Sequence, residues 1–314
     1  MRTGILIIAL ALAAAPGCVR TASDTSAGSN APHTAPAAEA PAAQKQEGSD
    51  AGLTERLAAI CARAEGDVGV SVIHVETGSE AAFGAERQLP LYSVFKLPLA
   101  VAVLREVEAG RLRLDQEVRV TPEEIVPGQQ GNTDLWRNPV ERTLEELLSF
   151  SIGRSDNTST DKLLRLVGGP EAVTRVMRSL GLAGITIQST VREYVTRGGK
   201  NNPGAARDLA RLLALLQKGD ALGPAQTALL IGMMERATTG ARRLRGSLPA
   251  GTPVADKTGT GPTGTNDVGL ITLPGGRGHL AVAVLISNSK LPAEEQERLI
   301  AELARAAYDA HATR

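Results

Sequence analysis

Cysteine is almost absent from this chain. Cys18 and Cys61 are the only two in 314 residues, and they show no zinc spacing. Neither a disulfide framework nor a structural zinc site is expected. Histidine is scarce too: His33, His74, His279 and His311 are scattered, with no His-Glu-x-x-His pattern. Chain order alone does not exclude a Ser-His-Asp triad, but nothing points to one. An activated serine here would rely on lysine or glutamate. Net charge is missing as well, since 34 basic residues balance 34 acidic ones. No basic stripe argues for nucleic acid, and no acidic tail argues for a basic partner. Internal repeats are not seen, and the apolar run near the N-terminus, residues 4–15, is too short for an ordinary membrane span. What remains is ordinary apolar content, 42% of the chain. That is a globular protein, long enough for one large core or two small ones.

Residues 1–18 carry one early arginine, the apolar run, and then Ala15-Pro16-Gly17-Cys18. This is the layout of a secretory signal. Its end on a cysteine after small residues resembles a bacterial lipoprotein signal. That resemblance implies a periplasmic protein, acylated at Cys18 and attached to a bacterial membrane. Ala15 stands where such signals usually carry leucine, and ordinary cleavage near residues 13–15 is the rival reading. With Cys18 acylated, Cys61 has no partner and is expected as a buried thiol. Residues 19–51 are rich in Ala, Pro, Ser, Thr and Gly, with almost no large apolar side chains. Such a stretch cannot bury enough surface to offset its ordering entropy, so a disordered tether is predicted.

Folded-chain patterning begins near residue 52. Apolar spacing predicts a helix over 53–64, and clean alternation predicts a strand over 68–76, with a weaker strand over 81–85. Helical patterns follow over 98–109, 143–150, 158–166, 171–180, 205–218 and 224–236. Between them lie a helical or loop segment (112–120), a Gly/Pro/Asn-rich loop (127–139) and an irregular polar segment (185–203). Three more strands are predicted over 254–260, 267–273 and 279–287, then a helix over 292–310. Strands thus stand at both ends, with helices between. The predicted fold is α/β of the α+β kind. Residues 52–92 and 246–314 would form an antiparallel sheet flanked by the N- and C-terminal helices. Residues 93–245 would form an all-α domain, with the active site at the interface.

The chemistry centres on Ser93-Val94-Phe95-Lys96, at the head of the apolar 98–109 helix, which Gly110 closes. Residues three apart on a helix share a face, with Cβ atoms about 5–6 Å apart. A hydroxyl therefore meets an amine at a helix N-terminus, where the dipole favours negative charge. Those conditions suit a serine nucleophile deprotonated by a lysine. Ser-x-x-Lys also recurs at Ser287-Asn288-Ser289-Lys290, which ends a strand with no helix behind it and reads as a solvated turn. Ser155-Asp156-Asn157 opens a helix and alone would be an N-cap box. Lys257-Thr258-Gly259-Thr260 lies in a predicted strand, where glycine often marks close approach of a ligand or another backbone. Only seven lysines occur in the chain, and two of them fall in these motifs. Thr238-Thr239-Gly240 and Arg243 lie upstream, and Thr265-Asn266-Asp267 opens the next strand.

In this order the segments resemble the class A serine β-lactamases, whose Ser-x-x-Lys, Ser-Asp-Asn and Lys-Thr-Gly motifs are shared with penicillin-binding proteins. The resemblance spans about residues 53–310 and includes Gly168-Gly169-Pro170. Lys-Thr-Gly-Thr followed by Thr-Asn-Asp looks like the divergent, extended-spectrum branch. The family implies the serine β-lactamase/penicillin-binding-protein fold and small β-lactams as substrates; no cofactor and no metal are expected, and the oligomeric state is open, with a monomer as the default. It implies Ser93 as nucleophile, with Lys96 helping to remove its proton. Ser155 would relay a proton to the lactam nitrogen, and Asn157 would hold the substrate's amide. Lys257 would supply charge near the substrate carboxylate; Thr258, Gly259 and Thr260 would bind it, with Arg243 adding to recognition. The N–H groups of Ser93 and Thr260 would form the oxyanion hole. Glu193, the one carboxylate in the segment where the family keeps its water-activating glutamate, is the candidate base for deacylation; a solvated loop residue is the other reading. No Leu-Asn follows it, and Arg197 holds the usual asparagine position. Whether Lys96 acts neutral or charged stays open. A D-Ala-D-Ala peptidase, or a binding protein that is acylated and stays so, are the alternatives to a hydrolase.

Overall fold

The computed structural model describes residues 47–127, 133–136 and 138–312. The stretches expected to be a signal, with Cys18, and a tether, up to residue 46, lie outside these residues. The first helix, α1 (Glu47–Cys61), begins inside the stretch expected to be tether. Strand β1 (Asp67–His74) and β2 (Glu80–Phe83) follow as an antiparallel pair. Near the C-terminus come β7 (Val254–Gly261), β8 (Gly264–Thr272) and β9 (His279–Ser287), then α9 (Ala293–Ala312). These strands form one antiparallel sheet in the order β2-β1-β9-β8-β7. The two chain ends meet at its centre because β9, an almost unbroken apolar run, is buried on both faces.

Alternation along β9 builds two different cores. Leu280, Val282, Val284 and Ile286 join Val68, Val70 and Val72 on the face covered by α1 and α9. Ala281, Ala283 and Leu285 turn to the other face with Val268 and Leu270. Small side chains at 281 and 283 let α7 (Ala206–Lys218) lie close against that face. The helical stretch and the sheet therefore share one continuous core. Its middle is α2 (Lys96–Glu108), whose first nine residues are all buried. Truncating any one of its large apolar side chains costs about 2–5 kcal/mol.

Around α2 stand α3 (Leu144–Gly153), α4 (Asn157–Leu166), α5 (Pro170–Ser179) and α8 (Pro224–Glu235). Thr143 caps α3 through a capping box with Glu146, and Asp156 caps α4. Two-residue strands β3 (Leu89–Pro90) and β6 (Pro203–Gly204) tie the entry of α2 to the chain before α7. Three local expectations change. Segment 112–120 contains β4 (Glu117–Val120), which pairs with β5 (Val140–Thr143). The irregular 185–203 segment contains a seven-residue helix, α6 (Val191–Arg197). Ser93 stands on a 3-10 turn, Tyr92–Phe95, before α2 begins. Cys61 is a free, buried thiol, pushed up to about 12 by burial and therefore unreactive.

Candidate active site

The 3-10 turn carrying Ser93 is forced into place from below. Tyr92 has φ +48°, a left-handed conformation that costs energy for a residue with a side chain. Asn266 holds this turn from β8: its Nδ2 donates to Pro90 O (2.8 Å) and Leu91 O (3.2 Å). Ile286 N donates to Asn266 Oδ1 at 3.0 Å, so one buried amide ties the turn to two strands. Lys96 opens α2 three residues on, one turn from Ser93, and its backbone N–H donates to Ser93 O.

Lys96 is 1% exposed. Its Nζ donates to Ser155 O (2.6 Å), Asn157 Oδ1 (2.8 Å) and Ser155 Oγ (3.2 Å). Burial, then the nearby charge of Lys257, holds this amine well below the usual lysine range. Ser155 has φ +54°, a second strained residue at the site. On its far side Lys257 Nζ donates to Ser155 Oγ at 3.1 Å and to Thr258 O at 2.9 Å. One hydroxyl is thus bracketed by two buried amines. Lys257 is pulled down to about 8, chiefly by burial, against the opposing pull of Asp267 and Asp256.

The edge strand β7 forms one wall. A Cβ at Gly259 would fall 2.6 Å from Leu91 O and 3.3 Å from Ser93 N, so only glycine lets the strand pass the nucleophile's backbone this closely. Arg243 is buried and donates to Gly259 O (3.0 Å), Asn266 O (2.9 Å) and Thr260 Oγ1 (2.7 Å). Its Nε also faces Glu297 at 3.2 Å. Arg243 therefore orients the strand wall. The Thr260 hydroxyl accepts from it and keeps its own proton to give elsewhere. Thr258 Oγ1 lies 2.8 Å from Thr239 Oγ1.

Behind β7, Asp256 and Asp267 are fully buried and diagonal neighbours in the β7–β8 register. Oδ2 of Asp256 and Oδ1 of Asp267 find no other partner. Burial and the adjacent Asp256 push the Asp267 carboxyl well above the usual range. Arg245 Nε donates to Asp256 Oδ1 at 2.9 Å. Burial raises both carboxyls, Asp267 the further, because Arg245 opposes the rise at Asp256.

Opposite stands α6. With Ser93, Asn157 and Thr260, one crevice is lined by Thr190, Val191, Tyr194 and Val195. Positions 191, 194 and 195 share a helix face by the three-and-four spacing. Glu193 lies on another face. It lines a separate cleft with Arg175, Arg178 and Arg197. Its carboxylate turns back to its own helix cap: Thr190 N donates to Oε2 at 2.9 Å, and Thr190 Oγ1 at 3.1 Å. The folding thus brings together Ser93, Lys96, Ser155, Asn157, Lys257, Gly259 and Thr260, ties Arg243 to them, and leaves Glu193 outside the crevice.

Sequence reasoning missed Asp161, and left Trp136 open between a substrate gatekeeper and a loop anchor. Asp161, buried on α4, accepts from Val191 N (2.7 Å) and Arg192 N (2.9 Å) and so fixes where α6 starts. Trp136 Nε1 donates to Asp156 Oδ2 at 3.2 Å, and its ring meets Phe150 edge-on. It is a buried anchor for the Ser-Asp-Asn turn. A legible signal did exist for α6: Thr190-x-x-Glu193 is a capping-box pattern, in which the glutamate serves the helix end.

A serine one turn from a buried lysine, and a second serine hydroxyl held between two buried lysines, sit in a mixed α/β fold of the serine β-lactamase kind. A model described as the β-lactamase enzyme family matches residues 52–311. The chain belongs to that family, as a class A serine β-lactamase. It is 35% identical over 272 residues to the extended-spectrum β-lactamase PER-1 of Pseudomonas aeruginosa, covering 82% of this chain and 86% of that one. The solved TLA-3 extended-spectrum β-lactamase superposes with a TM-score of 0.81 at 29% identity, covering 84% of this chain and all of the other. An ancestral class A β-lactamase gives 0.76 at 34% identity, covering 82% and 99%.

Proposed function

We propose that this protein opens β-lactam rings through an ester on Ser93 and hydrolyses that ester, acting as a serine β-lactam hydrolase. The observation that carries this is the bracketing of Ser155 Oγ by Lys96 Nζ at 3.2 Å and Lys257 Nζ at 3.1 Å, with Ser93 one 3-10 turn from Lys96. Burial favours the neutral form of Lys96, which keeps two N–H groups for Ser155 O and Asn157 Oδ1 and has a lone pair to take the Ser93 proton. The Ser93 oxygen bonds to the lactam carbonyl carbon. Negative charge grows on the carbonyl oxygen, between the N–H groups of Ser93 and Thr260. Each such donor is worth about 3–4 kcal/mol to the transition state. The C–N bond then breaks; Ser155 hands its hydroxyl proton to the ring nitrogen and receives in its place the proton Lys96 took from Ser93.

Recognition follows the same charges. Lys257, with the Thr258 and Thr260 hydroxyls, faces the substrate carboxylate; Arg243 acts through Thr260 and the strand. Asn157 Oδ1 is engaged by Lys96, which turns its NH2 to the other side, toward a substrate amide carbonyl. Export and lipid attachment through Cys18 belong to this proposal and rest on the leader sequence. Steady-state hydrolysis of a chromogenic cephalosporin by purified protein tests the activity; no turnover and no covalent adduct with any lactam would end it. Fractionation of cells carrying Cys18→Ser tests the anchor: the wild type should sediment with membranes and the variant should not.

A further inference from the structure

We propose that the ester on Ser93 is the resting species of this enzyme, because the crevice supplies no carboxylate to activate the hydrolytic water and presents Val191 and Tyr194 in its place. This rests on Ser93 being the nucleophile. Deacylation must form a bond from water oxygen to the acyl carbon and break the bond from that carbon to Ser93 Oγ. The water's proton needs an acceptor, and Ser93 Oγ must regain one. A positioned general base typically contributes about 10²–10⁴-fold to such a step.

Among the described residues lining the crevice there is no aspartate or glutamate. The helix facing Ser93 turns Val191 and Tyr194, both half-buried, toward the crevice, with the exposed Val195 at its rim. A carboxylate two positions along from Val191 is about 200° around the helix, since each residue turns it by about 100°. Glu193 is that carboxylate, and its Oε2 already accepts from Thr190 N and Thr190 Oγ1. The nearest buried acids are also committed. Asp161 receives Val191 N and Arg192 N, one on each oxygen. Asp156 receives Ser159 N on one oxygen and Trp136 Nε1 on the other. Freeing either would uncap a helix. Nothing comparable is missing for acylation, where Lys96 and Ser155 are both in place. Capture is therefore fast, and hydrolysis is limited by release.

Mixing the protein with excess benzylpenicillin and sampling by intact mass spectrometry tests this. The expected result is a burst of one equivalent, with nearly every molecule carrying the whole lactam mass throughout turnover. Val191→Glu places a carboxylate in the crevice on the first turn of α6, where the helix dipole tolerates it. It should raise the deacylation rate about 10²-fold, and Tyr194→Glu serves as the second variant if the first melts early. Glu193→Gln should leave deacylation within about twofold of wild type. Rapid wild-type turnover with no adduct at steady state would overturn the inference. So would adduct accumulation caused by Glu193→Gln, or no acceleration in either folded glutamate variant. A wild type that never forms an adduct and never turns over instead refutes the proposed function itself.

Discussion

The strand wall of the crevice and the helix wall across from it are made differently. On the β7 side, Lys257 and Arg243 are buried and spend their donors on named carbonyls and hydroxyls. Asn266, Asp256 and Asp267 back them, all with no exposure. On the α6 side the helix has seven residues, none of them buried, and it turns a valine and a tyrosine to the nucleophile. Its polar groups serve its own ends: Thr190 and Glu193 cap it, and Asp161 holds its first two amides. One wall concentrates charge by excluding water, while the other contributes shape. Capturing an anionic acyl compound and releasing it are thus separable properties carried by different segments.

The largest test of that contrast is Ser93→Ala. It should abolish the covalent adduct and lower lactam turnover by at least about 10³-fold, read by mass spectrometry and a chromogenic assay. Loss of the strand wall's hidden ion pair comes next. Asp256→Asn strands Arg245 over a buried amide and should cost about 3 kcal/mol of stability, read by denaturant unfolding. A shift below about 1 kcal/mol would show that Asp256 is not the charged member of the pair.

The third effect is a pH dependence. Lys257 is charged below about 8 and neutral above it. Acylation by an anionic lactam should therefore weaken as pH rises through about 8, by up to about tenfold per unit once the amine is neutral. The KM-dominated rate constant should show the limb, and Lys257→Arg should remove it, since guanidinium stays charged there. A flat wild-type profile from pH 7 to 9 would place the attraction elsewhere. The smallest effect is expected from Asp267→Asn. Burial and Asp256 hold its carboxyl well above the usual range, so the neutral amide should replace it with a loss below about 1 kcal/mol.

Much of this was legible before folding. β1 and β9 declared themselves because a strand buried on one or both faces must alternate or stay apolar, and Val68, Val70 and Val72 do the first while residues 280–286 do the second. Ser93, Ser155 and Lys257 were legible through their local contexts: a turn before a buried helix, a helix cap, and a glycine inside a strand. The β4–β5 hairpin escaped although Glu117-Val118-Arg119-Val120 alternates, because four residues are too few to outweigh neighbouring helical spacing. α6 escaped because seven residues are too few for a helical period to stand out, although Val191, Tyr194 and Val195 share a face. Arg243 looked like a substrate contact; only the folded chain shows its donors turned to Gly259, Asn266 and Thr260.

By itself, the order of residues determined which groups are available: one reactive hydroxyl ahead of an apolar helix, two scarce lysines, and a single acid near position 193. It also determined the strands, because pleat alternation is a local property. Only the tertiary structure decided what each group became. Burial, which no short window reveals, pulled two lysines below their usual range and pushed the Asp267 carboxyl above its own. Helical phase, set by where Asp161 and Thr190 start α6, sent Glu193 outward and Val191 in. A turn of about 100° per residue is enough to separate a base from a bystander.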